Sequence, residues 1–221
     1  MCGRYTIKTP AQDIVRFFGL ADIPELTPRF NVAPTQSVLC IREANGNREG
    51  VLLKWGLVPS WADDPAIGNR LINARAETVA SKPAFRAAFK RRRCLVVADG
   101  FYEWQKVNAK TKQPWYFQLT DGEPFAFAGL WESWGEEDSS LETCTLITTE
   151  ANELVGSVHE RMPVILPPEK YDLWTNPALE GGKQLADLLR PYPDQEMTGY
   201  PVSTQVNSPR NDGPDLIEAV S

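Results

Sequence analysis

Four residues in this chain have the chemistry to work on a substrate, and they are scattered widely: Cys2, Asn73, Glu103 and His159. Once Met1 is removed, Cys2 carries an α-amine and a thiol on neighbouring carbons, a 1,2-aminothiol that no internal cysteine offers. The amine has a reference pKa of about 7.7–8.0 and the thiol about 8.5, so a neutral amine is available near neutral pH and the thiol needs only modest help to ionise. Gly3 allows close approach of the backbone to a neighbouring surface, and Arg4 adds a fixed positive charge. The competing reading of Met-Cys-Gly is an ordinary frayed start. Glu103 lies between Tyr102 and Trp104. A carboxyl in aromatic surroundings has a raised pKa, which suits a proton donor, though strand alternation equally makes it the outward member of an edge strand. His159 is the only histidine. A lone histidine is usually structural; this one borders a strand, with Arg161 two residues on.

The remaining cysteines, Cys40, Cys94 and Cys144, sit in apolar, strand-like stretches and read as reduced core residues. Closely spaced Cys and His are absent, so neither a metal site nor a cofactor is expected. The 221-residue length fits one domain, 1–221, and the 42% apolar content suffices for a core. A net charge of −6 argues against wholesale polyanion binding and restricts any nucleic-acid site to a local patch. Lys82, Arg86, Lys90, Arg91, Arg92 and Arg93 concentrate six of 23 basic residues in one stretch, either a polyanion contact or a solvated helix face and turn. With neither an 18-residue apolar run nor a basic-then-apolar leader, no membrane partner is expected, and the expected location is the cytoplasm.

The elements that must position these groups are short. Thr9-Pro10-Ala11-Gln12 predicts a helix start with Thr9 as N-cap, and Gly19 ends that helix, holding residues 2–8 against the core. Arg29–Pro34 is extended. Val38–Ile41 and Val51–Leu53 predict a hairpin around Asn45-Gly46, with a loop longer than two residues. Trp55–Trp61 is irregular, with each tryptophan either buried or a stacking surface. Cys94–Ala98 predicts a buried strand, and Pro114–Leu119 with Phe125–Trp131 an antiparallel pair. An acidic loop spans 136–142, and Thr143–Thr149 is a β-branched strand. Helices are predicted near Lys170–Trp174 and Gly181–Leu189, and a last strand at Pro201–Val206 ahead of a polar loop at Asn207–Asp212. The pattern is α+β: mostly antiparallel strands in a barrel-like, bifurcated sheet with short surrounding helices.

Six blocks in order resemble the SRAP family, the SOS-response-associated peptidase or abasic-site-processing proteins: residues 1–4, 30–34, 55–61, 73–78, 98–104 and 159–163. The resemblance implies a monomer that captures abasic sites in single-stranded DNA and is nucleoid-associated when bound. The Cys2 amine would form an imine with the aldehyde of the opened sugar, and the thiol would close a thiazolidine ring. Glu103 would act as acid/base, Asn73 would hold the N-terminus or sugar oxygens, and His159 would move protons in crosslink reversal or strand cleavage. Arg4 and Arg75 map to phosphate-binding positions, and Thr149 and Arg161 to further DNA-binding ones. Pro34, Trp61 and Trp104 would stack on flanking bases or wedge them apart. In one departure, Ala62 stands where relatives often have a second aromatic. Three other readings use the same residues: an N-terminal-nucleophile amidohydrolase, a cysteine peptidase acting at least on Met1, and a non-covalent single-strand binder.

Overall fold

The computed structural model describes residues 2–136 and 139–220. Its strands are β1 (Tyr5–Ile7), β2 (Arg29–Val32), β3 (Ser37–Ala44), β4 (Asn47–Trp55), β5 (Asn73–Arg75), β6 (Arg93–Ala98), β7 (Gly100–Lys106), β8 (Lys112–Leu119), β9 (Phe125–Trp134), β10 (Leu141–Glu150), β11 (Arg161–Pro163), β12 (Ile165–Leu166) and β13 (Met197–Pro201). Five short helices surround them: α1 (Ala11–Phe18), α2 (Arg86–Arg91), α3 (Glu153–Gly156), α4 (Tyr171–Thr175) and α5 (Lys183–Ala186).

The strands form two sheets. One has five strands in the order β13-β8-β7-β1-β2. The other has eight; β9 pairs with both β6 and β10, and β10 reaches back to β4, so that sheet curls into a partial ring. Pairing is antiparallel apart from β10 with β4 and β5. The architecture is α+β with mostly antiparallel sheets. Between the sheets Tyr5 packs on Trp55 and Phe127, and Phe101 packs edge-on against Phe127. Such aromatic contacts each add about 0.5–1.5 kcal/mol beyond burial.

The placement of β1 matters most for the site. It is an interior strand, hydrogen-bonded to β7 on one side and β2 on the other. The Tyr102 N–H also donates to the Arg4 carbonyl at 3.0 Å. Residues 2–7 are therefore anchored by sheet pairing and not frayed. Gly100, opposite Thr6, makes this fit possible: a Cβ there would lie 2.3 Å from the Tyr116 hydroxyl.

Several local expectations are revised. Thr9 does not cap α1. Its hydroxyl and backbone N–H both go to Asp99, Pro10 takes the cap position, and Gly19 closes the helix at φ 64°. The β3–β4 hairpin has a two-residue loop, with Ala44 paired to Asn47 and Asn45-Gly46 at φ 54° and 82°. The strands run on through Arg42, Glu43, Arg48 and Glu49, which an apolar-run criterion cuts off. Arg42 is stabilised there by Glu142 at 2.5 Å and by the Trp131 ring at 4.5 Å.

Strands β8 and β9 are not partners. The segment through Pro124 carries the chain from one sheet to the other, so β8 pairs with β7 and β13 while β9 joins the ring. The last strand is Met197–Pro201, earlier than expected, because Ser203 accepts the Gln205 N–H and starts a helical turn at 204–207. The predicted helix at Gly181–Leu189 shrinks to Lys183–Ala186. Part of the acidic 136–142 loop, residues 137 and 138, lies outside the described residues, as does Met1. Cys40, Cys94 and Cys144 are buried free thiols.

Candidate active site at the buried N-terminus

Cys2 is fully buried, with its Sγ 3.8 Å from the Arg4 carbonyl. Asn73, the first residue of β5, donates from Nδ2 to the Cys2 carbonyl at 2.7 Å. Parallel pairing of Asn73 with Leu146 fixes the base of that side chain on β10. The Asn73 Oδ1 is buried and has no hydrogen-bond partner among the described residues. Its vacant lone pairs are an acceptor beside the Cys2 backbone.

Glu103 is 2% exposed, which decides between its two readings: it is not the outward member of an edge strand. Burial raises its pKa. The Cys2 thiol is also pushed well above its usual value, first by burial and then by the negative charge of Glu103. This overturns the expectation of an easily ionised thiol. Cys2 is held as the neutral S–H, because burial and the Glu103 carboxyl both penalise a thiolate.

His159 follows α3, whose Asn152 cap accepts the Val155 N–H at 2.9 Å; the His159 N–H then donates to the Val155 carbonyl at 2.9 Å. Its Nδ1 lies 3.0 Å from the Arg161 N–H and 3.2 Å from the Arg161 carbonyl. The backbone N–H is a donor in every state, so it fixes neutral Nδ1 as the acceptor and places the ring proton on Nε2. Gln105, two residues beyond Glu103 along β7, donates to the Ser157 carbonyl at 3.1 Å and ties this loop to the strand carrying Glu103. Cys2, Asn73, Glu103 and His159 thus converge from the segment before β1, from β5 and β7, and from the α3–β11 loop.

The candidate DNA-contacting residues are placed less uniformly. Arg75 is exposed at the end of β5. Trp61 is 59% exposed, whereas Trp55 is fully buried and its indole N–H donates to the Ile72 carbonyl. Pro34 is half-buried, next to Thr35 at φ 74°, a left-handed conformation that is costly for a β-branched residue. Trp104 is half-buried, with its indole N–H on Asn207 Oδ1 at 2.7 Å. Arg4 turns its guanidinium onto Asn31 Oδ1 at 2.8 Å and the carbonyls of Val206 and Asn207 at 2.7 and 3.2 Å. Arg161 is gripped by both oxygens of Glu77, at 2.5 and 3.1 Å, and donates to the Thr148 carbonyl at 2.7 Å. Thr149 is 4% exposed, and its hydroxyl donates to the Leu189 carbonyl at 3.2 Å, so the structure does not bring it to the surface.

The basic run at 82–93 is largely structural in its second half. Arg93 is buried and donates to four carbonyls, those of Phe89, Lys90, Trp174 and Asn176. Arg92 pairs with Glu132, and Arg91 with Glu180.

Two residues of this neighbourhood were not singled out from sequence. Asn31 is fully buried and donates to the carbonyls of Val206, Ser208 and Asn211, pinning the C-terminal segment under Arg4. Its signal was a buried-type asparagine inside the Phe-Asn-Val-Ala-Pro block. Trp134 donates from its indole to the Ala62 carbonyl at 2.6 Å, which brings a second indole to the segment where Ala62 interrupts the aromatic pattern. Nothing local in sequence links residues so far apart.

This fold and site define a class. The family model described as SOS response associated peptidase (SRAP) matches residues 1–209, and the chain belongs to that family. It is 45% identical to the abasic site processing protein YoqW of Bacillus subtilis over 99% of this chain and 100% of the relative. It is 31% identical to the abasic site processing protein YedK of Escherichia coli, with all of both chains covered. A crystal structure of a Bacteroides thetaiotaomicron protein superposes with a TM-score of 0.88 at 27% identity, covering 100% of each chain.

Proposed function

We propose that this protein processes abasic sites in single-stranded DNA by covalent capture on Cys2 after Met1 is removed. The observation that carries this reading is the grip of Asn73 on the Cys2 carbonyl, with Glu103 near enough to act electrostatically on the Cys2 thiol. With Met1 removed, that grip would hold the amine and the thiol of one residue together. The names of the relatives supply the substrate class.

The chemistry balances without a cofactor. The neutral α-amine of Cys2 adds to the sugar aldehyde, and loss of one water gives an imine. The thiol then adds across the C=N bond, its sulfur bonding to carbon and its proton ending on nitrogen. A thiol held neutral until that step favours attack by the amine first. Glu103, whose proton is retained to higher pH, donates to the departing oxygen, and His159 carries protons from Nε2. The free Asn73 Oδ1 accepts a hydroxyl of the opened sugar. Arg75 and Arg161 hold flanking phosphates, and Trp61 and Pro34 take the bases beside the gap. Crosslink reversal or strand cleavage would use the same acid/base pair. Self-removal of Met1 belongs to this reading, and purified Glu103→Ala that retains Met1 beside a wild-type chain that lacks it would support it.

The test incubates the chain with single-stranded DNA carrying one abasic site, and in parallel with glutamine and with casein. A heat-stable DNA adduct that disappears in Cys2→Ala is the expected result. Turnover of glutamine or casein without an adduct would replace this reading with a hydrolase, and reversible, salt-sensitive binding alone would leave a single-strand binder.

A further inference from the structure

Beyond the reacting pocket the chain carries a second basic feature, absent from the motif blocks. Residues 104–120 contain Lys106, Lys110 and Lys112 and no acidic residue, a local charge of +3 in a chain of net charge −6. The three lysines sit on the β7–β8 hairpin and line a groove of about 490 Å³ together with Arg4, Trp104 and Asn207. All three are exposed, and among the described residues none is in an ion pair. This contrasts with the 82–93 run, where Arg91 and Arg92 are paired and Arg93 is buried.

The hairpin is also preorganised. Asn108 Oδ1 accepts the N–H groups of Lys110 and Thr111, both at 2.9 Å, and the Val107 N–H donates to the Thr111 carbonyl at 3.1 Å. β7 runs from Glu103 through Trp104 to Lys106, and Arg4, two residues beyond Cys2, also lines the groove, so the groove adjoins both segments that carry the candidate residues. An aromatic face followed by unpaired ammonium groups along a fixed turn matches a polynucleotide backbone with one base stacked at its entrance.

We infer that the β7–β8 hairpin is the exit track for the DNA strand on one side of the abasic site, with Lys106, Lys110 and Lys112 holding successive phosphates. This inference rests on the proposed function for the identity of the strand. It assigns a role to three residues that the pocket chemistry does not use, and it makes the footprint asymmetric. The strand on one side of the lesion lies on the lysine hairpin, and the other side is held at the Trp61 and Pro34 rim.

The experiment uses reversible binding to oligonucleotides carrying tetrahydrofuran, a stable abasic analogue without an aldehyde, extended by several nucleotides on the 5′ side only, the 3′ side only, or both. Lys106→Gln/Lys110→Gln/Lys112→Gln is compared with wild type and with Lys82→Gln/Arg86→Gln/Lys90→Gln, which changes net charge equally at exposed positions of the other basic run. The hairpin variant is expected to bind about 10- to 100-fold more weakly at low salt and to lower the slope of log K against log salt by about 2, at about 0.7 per phosphate contact on a single strand. Wild type is expected to lose affinity when one particular side is truncated, and the hairpin variant to be indifferent to that truncation. Equal weakening in both triple variants, or an unchanged dependence on both flanks in the hairpin variant, overturns the inference. Failure of the proposed function is a separate result: no adduct from the wild-type chain on an aldehyde-bearing strand, whatever the binding slopes.

Discussion

Replacing Asn73 by alanine separates a role in holding the N-terminus from a role in holding the fold. The side chain does two opposing things. Its Nδ2 satisfies the Cys2 carbonyl at 2.7 Å, and its Oδ1 is buried without a partner among the described residues. Losing the first leaves a buried carbonyl orphaned at a cost of about 1–3 kcal/mol, and deleting the second relieves a penalty of similar size. The net stability change is therefore expected within about 1 kcal/mol, a Tm shift of no more than about 2–4 °C for a chain of this length. Positioning has no such compensation. With Cys2 released from β5, the aminothiol samples other orientations, and about 1.4–2.8 kcal/mol of lost positioning lowers the rate of adduct formation about 10- to 100-fold. Asn73→Asp is the sharper partner variant. It sets a carboxylate oxygen against the Cys2 carbonyl in place of the amide N–H, and should be slower still than alanine. The assay is single-turnover adduct formation on a gel at saturating DNA, with Tm measured on the same preparations. A Tm loss above about 10 °C that tracks the rate loss would instead make Asn73 a structural residue with no positioning role.

Three further outcomes concern Glu103 and Thr35. Burial raises the Glu103 pKa in the folded chain, so between the unfolded value of about 4.3 and the folded value the native state binds more protons than the unfolded one. Stability from this group accordingly falls as pH rises through that window, and its full cost is present above it; Glu103→Gln should unfold at higher urea than wild type at pH 7, with the margin closing as pH approaches 4. The same variant should slow adduct formation while leaving DNA binding measurable, and equal loss of both would show Glu103 to be structural. Thr35 sits at φ 74° with an exposed side chain, so Thr35→Asn should raise stability by about 1 kcal/mol; an unchanged or lower Tm would mean that the left-handed turn beside Pro34 is not strained.

The legible parts of this chain were those whose physics is local. Gly19 stops a helix because it alone adopts a left-handed cap without cost, and Cys94–Ala98 is a buried strand because every residue is apolar. Motif blocks supply Cys2, Asn73, Glu103 and His159 as candidates, but their mutual placement and electrostatics were not legible there. The Cys2 thiol looks reactive in isolation and becomes a suppressed acid only when β1 lies inside a sheet next to Glu103. Long-range pairing was equally invisible. Phe125–Trp131 follows Pro114–Leu119 with a turn between, and only the two-sheet topology shows that they part. Charge density misled in the same way, since the run ending at Arg93 looks like a surface until its guanidinium is seen to hold four backbone carbonyls.

Capture by Cys2 requires its amine and its thiol to react together. Intact-mass measurement of the product with an abasic single strand tests it directly. The expected product is a species equal to the Met1-free protein plus the DNA less one water, which survives heating without borohydride reduction and is absent when Met1 is retained. A product that needs borohydride to be seen, or that forms equally well with Cys2→Ser or with Met1 in place, would contradict it.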